Sequence, residues 1–189
     1  MLKKIDPKLG VITLLIAVVA LSRLFSPLYN FTPITAMALF GGAYFSRKWL
    51  AFVIPFAAMW LSDLYLNNVV YAAKYPDYYT SFTWFGDMWV YASFFLIVLL
   101  GMGLLQKVSF LRVAGTSLLA SVLFFLITNF GAWLSLPMYT KDISGLMQSY
   151  AAGIPFFQYT VAGDLFYAFI FFGAFEWMKS RFPQLQLSK

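Results

Sequence analysis

Six apolar stretches, five of them long enough to form a helix across a bilayer and one shorter, dominate this chain. They run over residues 9–25, 31–45, 49–67, 88–106, 113–136 and 155–178. A spanning helix needs about 20 predominantly apolar residues, and a backbone in lipid must satisfy its own hydrogen bonds, which selects helices. A soluble fold is excluded on charge. Only 11% of the 189 residues are charged and 62% are hydrophobic, against about 25% charged in ordinary soluble domains. So little polar surface cannot cover a body of this size. The expected fold class is all-α: a polytopic membrane protein of six transmembrane helices, with one domain filling residues 1–189. The stretch 31–45 is the weakest of the six. It is short and follows Pro27 and Pro33, so a tilt, a break or a partial re-entry would each fit it.

Basic residues orient the spans. Lys3, Lys4, Lys8, Arg47, Lys48, Lys107, Arg112, Lys179, Arg181 and Lys189 fall on one side, and only Arg23, Lys74 and Lys141 on the other. The positive-inside rule puts the richer side, with both termini, in the cytoplasm. Five spans would separate the termini and break the pattern. The net charge of +6 is thus a topology signal, and nucleic acid is not an expected partner. Lysines before the first stretch resemble a secretory signal, but no small-x-small cleavage site closes it. It reads as a retained first helix.

The residue inventory removes several chemistries. Cysteine and histidine are absent, which excludes disulfides, thiolate or imidazole metal sites and their catalysis. No G-x-x-x-x-G-K-[ST] phosphate loop occurs. Asp63 and Asp164 invite comparison with an intramembrane aspartyl dyad, yet Val161-Ala-Gly-Asp164 lacks the Gly-x-Gly-Asp pattern of that class. Neither an enzyme, a metal nor a cofactor is expected.

What remains is a polar set within the outer half of the spans. Ionisable residues in a membrane are costly and mark function. Asp63 lies roughly 6 Å from the outer end of its span and Asp164 about 14 Å deep, at 1.5 Å per residue. Arg23 closes the first span and Asn129 lies within the fifth. Trp60, Asp63 and Asn67 share one helical face, Phe125, Asn129 and Trp133 another, and Thr160, Asp164 and Tyr167 a third. Apolar walls with a few placed polar groups are how small-molecule pockets are built. The bland alternatives are a structural Arg23–Asp63 ion pair, an Asn129 that only glues helices, and an interfacial belt of Trp84, Asp87 and Trp89. The loops 68–87 and 137–154 are long and lie outside, with most of the tyrosines. On the first span Gly10, Thr13, Ala17 and Ala20 form a small-residue face suited to close helix approach, within the protein or with a partner.

These features resemble a known family. The segment Ala36-Met-Ala-Leu-Phe-Gly-Gly-Ala-Tyr-Phe45, then Trp49 through Ser62-Asp63-Leu64-Tyr65, is similar to the second and third helices of the S components of energy-coupling-factor transporters, the substrate-binding membrane subunits of vitamin importers. With Phe124-Phe-Leu-Ile-Thr-Asn129 it resembles the solitary S components that handle cobalamin. A group of uncharacterised bacterial six-span proteins shares Asn30-Phe-Thr-Pro33, Thr128-Asn-Phe-Gly-x-Trp133 and Pro155-Phe-Phe with Gly163-Asp164-Leu165. The resemblance implies an S-component-like bundle in a bacterial inner membrane. It would take up a small solute through an outward-facing pocket, either with a coupling transmembrane subunit and its ATPases or as a solitary subunit. Two departures stand out. The usual first-helix Ala-x-x-x-Ala is replaced by Thr13-x-x-x-Ala17 and Ala17-x-x-Ala20, and the cobalt-ligating cysteine has no counterpart. A corrinoid is therefore one candidate among several.

On this reading Arg23, Asn30, Asp63, Asn67, Asn129 and Asp164 contact the solute, Trp84 and Trp133 stack on it, and Thr13, Ala17 and Ala20 dock a partner helix. The alternative is a scaffold or assembly protein of the cell envelope that transports nothing.

Overall fold

The computed structural model describes residues 6–25 and 30–186. Of the residues used above, Lys3, Lys4, Pro27 and Lys189 lie outside that range. The described chain is all helical, without strands. Six helices follow in order: α1 Pro7–Ser22, α2 Ile34–Tyr44, α3 Lys48–Lys74, α4 Met88–Leu104, α5 Phe110–Ser135 and α6 Ile143–Arg181. Short 3-10 turns at Arg23–Phe25 and Pro183–Leu185 follow α1 and α6. By length and composition, α3, α5 and α6 can cross a membrane; α1, α2 and α4 are shorter apolar helices. Large exposed side chains such as Leu14, Val18, Phe95, Leu99, Leu119, Leu126, Phe166 and Ile170 give the bundle an apolar exterior. Such an exterior is compatible with a membrane protein.

Helix α2 is the axis of the bundle. It packs on all five other helices, and every residue from Ile34 to Gly42 is buried. Phe40 stacks on Phe171 with centroids 4.9 Å apart and meets Phe172 and Phe175 edge-on. The length of α2, 11 residues, gives only about 16 Å at 1.5 Å per residue. The expected stretch 31–45 is trimmed at both ends. Pro33 holds the N-cap position and Phe45 turns extended. A helix with no outward face has no lipid thickness to match.

Two long loops expected from the sequence are largely helix. Helix α3 runs on through a π-helical turn at Leu66–Tyr71 to Lys74, so the first loop shrinks to residues 75–87. Helix α6 begins at Ile143 rather than Pro155, leaving 136–142 as the second loop. Proline usually ends a helix because it lacks an N–H and clashes with the preceding turn. Pro155 nevertheless sits inside the 39-residue α6. The segment ahead of it is anchored, because Ser149 donates to the Asn129 carbonyl at 2.7 Å and Tyr150 to that of Leu126 at 2.9 Å.

Candidate functional site

Where the ends of α1, α3 and α4 meet the start of α2 and the middle of α6, the helices splay around a cavity of about 370 Å³. Arg23, Asn30, Asp63, Asn67 and Asp164 all line it. Five of the residues expected to touch a solute thus meet in one place. Its charge is organised in two parts.

The first is a buried ion pair. Arg23 Nη2 lies 2.7 Å from Asp63 Oδ1. The guanidinium also donates to the Met59 carbonyl at 3.2 Å and to the Ser62 hydroxyl. The Tyr91 hydroxyl donates to Asp63 Oδ2 at 2.7 Å. Both charged side chains are almost fully withdrawn from solvent, at 8% and 12% exposure. A pair this dry survives only because its remaining lone pairs and protons are bonded; Arg23 Nε alone lacks a partner.

The second part is Asp164, 2% exposed. Ser121 Oγ stands 2.6 Å from its Oδ2, and the Thr35 hydroxyl is its other hydrogen-bond partner. Helix α6 supplies the acid, α5 and α2 the hydroxyls.

The loop over the cavity is pinned to α3. The Asn68 side-chain amide donates to the Thr83 carbonyl at 2.9 Å and accepts from its N–H at 2.7 Å. The Trp60 indole donates to the Trp84 carbonyl at 2.9 Å. This brings Gly86 so close to Asp63 that a Cβ there would stand 3.0 Å from Oδ2. Asn30, on the segment entering α2, has φ 60°, a left-handed conformation that asparagine tolerates better than most residues.

A second chamber of about 240 Å³ adjoins the first and shares Asn30, Val90, Phe124 and Thr160 with it. Phe125, Phe156 and Phe157 wall it, and Asn129 sits there. The Asn129 amide donates to the Phe125 carbonyl at 2.8 Å. Its side chain lies over Gly153, where any Cβ would collide with it. Polar and aromatic chambers are therefore contiguous.

Trp84 and Trp133 line neither chamber. Trp84 is exposed on the 75–87 loop and packs edge-on against Phe82, centroids 4.8 Å apart. Trp133 fastens the α5–α6 loop: its indole donates to the Thr140 carbonyl at 2.8 Å. Lys141 Nζ caps the end of α5 through the carbonyls of Trp133 and Leu136. Asp142 caps α6, accepting from the Gly145 N–H and the Thr140 hydroxyl, both at 2.8 Å. Those donors, the Gly145 N–H foremost, hold its carboxyl below the usual carboxylate range. Thr13, Ala17 and Ala20 line a separate apolar groove of about 610 Å³ between α1 and α3.

Sequence reasoning missed Tyr91, Ser121 and Thr35. The Ser117/Ser121 spacing on one helical face was the available signal for Ser121. Among the described residues no group of three or more His, Cys, Asp or Glu could hold a metal.

Comparison with known proteins adds a family and no activity. A search of curated proteins and a search of solved structures each returned no match. A family model described as a family of unknown function, DUF6580, matches residues 3–185. That match spans nearly the whole chain, which therefore belongs to the DUF6580 family.

Proposed function

We propose that the protein is a membrane-embedded solute-binding subunit for uptake of a small vitamin or micronutrient, with an outward-facing pocket. The observation that carries this reading is the convergence of Arg23, Asn30, Asp63, Asn67 and Asp164 on one cavity. The cavity opens at the end of the bundle away from Arg47, Lys107, Arg112 and Lys179, so the positive-inside rule places it outside. Both termini are then cytoplasmic and the chain passes six times through the bacterial inner membrane, α2 being a buried short pass. The solute is amphipathic: its polar end meets the charged chamber and its apolar end the Phe125–Phe156–Phe157 chamber. The combined space lies within the range of small-ligand sites and suits a small vitamin better than a corrinoid. The resemblance to S components leaves the energy source with an ATPase-bearing partner, or the subunit acting alone.

The test is mass spectrometry of small molecules released from gently purified protein. One compound in near-stoichiometric amount is expected. Asn129→Ala should retain it about tenfold less, the cost of one lost buried hydrogen bond. A protein that releases nothing from any preparation, and binds no member of a vitamin panel, would sink the reading. The topology has its own test, helped by the absence of native cysteine. Single cysteines at Tyr78 and Met138 should react with an impermeant maleimide from outside intact cells, and cysteines at Arg47 and Lys107 should not. The reverse pattern would invert the protein and close the pocket to external solutes.

A second reading rests on the α1–α3 groove. Its wall is almost wholly apolar and carries Ala17, Ala57 and Ala58, the small residues that let a partner helix approach. A scaffold would use this face and leave the cavity empty. Crosslinks from Ala17 to a stable membrane partner, together with no released solute, would favour it.

A further inference from the structure

We propose that Asp164 is a proton-binding site in the wall of the cavity, holding its proton at neutral pH and exchanging it through that cavity. The inference does not depend on which solute the cavity takes.

Charge accounting comes first. The buried pair in the cavity wall, Arg23 with Asp63, is closed on itself and further tied by Ser62, Met59 and Tyr91. Asp164 takes no part in it. Its partners are two neutral hydroxyls, Ser121 from α5 and Thr35 from α2. The ion pairs Arg23–Asp63 and Lys179–Glu176 do not reach Asp164. An ionised carboxylate at 2% exposure without a counter-charge is the most costly state a buried acid can adopt. A proton removes that cost.

Hydrogen-bond accounting points the same way. Ser121 Oγ lies 2.6 Å from Asp164 Oδ2 and 3.0 Å from the Ser117 carbonyl. A hydroxyl has one proton to give. If Asp164 is ionised, two acceptors compete for that proton. If Oδ2 is protonated, it donates to Ser121 Oγ and Ser121 donates to the Ser117 carbonyl, so every contact is a proper hydrogen bond. One turn further along the same face, the fully buried Ser117 hydroxyl has no partner, extending the polar track into α5.

The charged and titratable groups around Asp164 are few. Along its own helix Tyr167 follows one turn on, bonded to Ser22 at 3.3 Å. Helix α5 faces it with Ser117 and Ser121, and α2 with Thr35. Across the cavity stand Arg23, Asp63, Tyr71, Lys74 and Asp87. Asp164 lines the cavity, and its proton exchanges through it. A cation that enters the cavity beside Asp164 favours the carboxylate, so proton and cation occupancy are linked.

Infrared spectroscopy of the reconstituted protein, with aspartate labelled by carbon-13 at the side-chain carboxyl, reads this state directly. Wild type at neutral pH should show one protonated-carboxyl stretch that shifts with the label. The band should persist in Asp63→Asn, vanish in Asp164→Asn, and give way to carboxylate absorption as the pH is raised. A wild-type spectrum at neutral pH with no label-sensitive protonated carboxyl overturns the proposal without recourse to any variant. So does a band that survives Asp164→Asn.

Discussion

Asp63→Ala should destabilise the folded protein by about 3–5 kcal/mol, the usual cost of stranding one partner of a buried ion pair. The reason lies in what is left behind. Arg23 keeps its charge at any accessible pH, is 8% exposed, and would retain only the Met59 carbonyl and Ser62 hydroxyl as acceptors. Tyr91 would lose the acceptor for its hydroxyl as well. For a chain of this size each kcal/mol moves the thermal midpoint by roughly 2–4 °C, so a drop of at least about 6 °C is expected in detergent melts followed by tryptophan fluorescence. Replacing both partners with apolar residues, Arg23→Met with Asp63→Leu, should recover most of the loss, because the desolvation cost disappears with the charges. Tyr91→Phe should cost less, about 1–3 kcal/mol for one unsatisfied acceptor. If Asp63→Ala melts with wild type, the pair is not buried in the working protein, and the charge accounting around the cavity fails with it.

That pair was legible from sequence as an alternative to ligand contact, since Arg23 and Asp63 both fall near one end of their helices. Burial and the Tyr91 hydrogen bond favour a structural role for it while leaving it in the cavity wall. The depth of Asp164 was legible from its position in an apolar run. Its partners were not, because Thr35 and Ser121 come from helices 129 and 43 residues distant in sequence, and periodicity within one helix says nothing about which faces meet. The tryptophans misled for a related reason. Trp133 shares the face of Asn129, but one turn further on that face has left the chamber for the α5–α6 loop, where the Thr140 carbonyl offers the indole an acceptor. The loop lengths misled because the last span was bounded at residue 155 by its apolar composition, whereas the more polar turns before it are helical too and are anchored by Ser149 and Tyr150. The shortness of the 31–45 stretch was visible. That it forms the core of the bundle was not, because an apolar run reads alike whether it faces lipid or protein.

A large packing effect between helices should come from Gly42 and Gly101, which together let α2 and α4 touch backbone to backbone. A Cβ at position 42 would stand 2.5 Å from the Val98 carbonyl oxygen and 2.9 Å from the Met102 nitrogen. A Cβ at position 101 would stand 2.6 Å from the Leu39 carbonyl oxygen and 3.0 Å from its Cα. Every one of these obstacles is main chain, so no rotamer change relieves the clash and the helices must separate. Such overpacking typically costs about 1–3 kcal/mol, sometimes more. Gly42→Ala and Gly101→Ala should each therefore lower the thermal midpoint by several degrees, at roughly 2–4 °C per kcal/mol. The double variant should lose less than the sum, since the first substitution already opens the seam for the second. Sparing controls are built into the chain: nothing lies within 4 Å of a Cβ added at Gly103 or Gly115. Alanine there should be neutral or slightly stabilising, since glycine disfavours a helix interior by about 1 kcal/mol relative to alanine. The consequence reaches the cavity, because α2 carries Thr35 to Asp164 and places Ile34 in the wall. Displacing α2 should weaken solute retention in the Gly42 and Gly101 variants and leave it intact in the controls. Equal stability and retention across all four would mean that α2 does not seat against α4 and that the cavity does not depend on it.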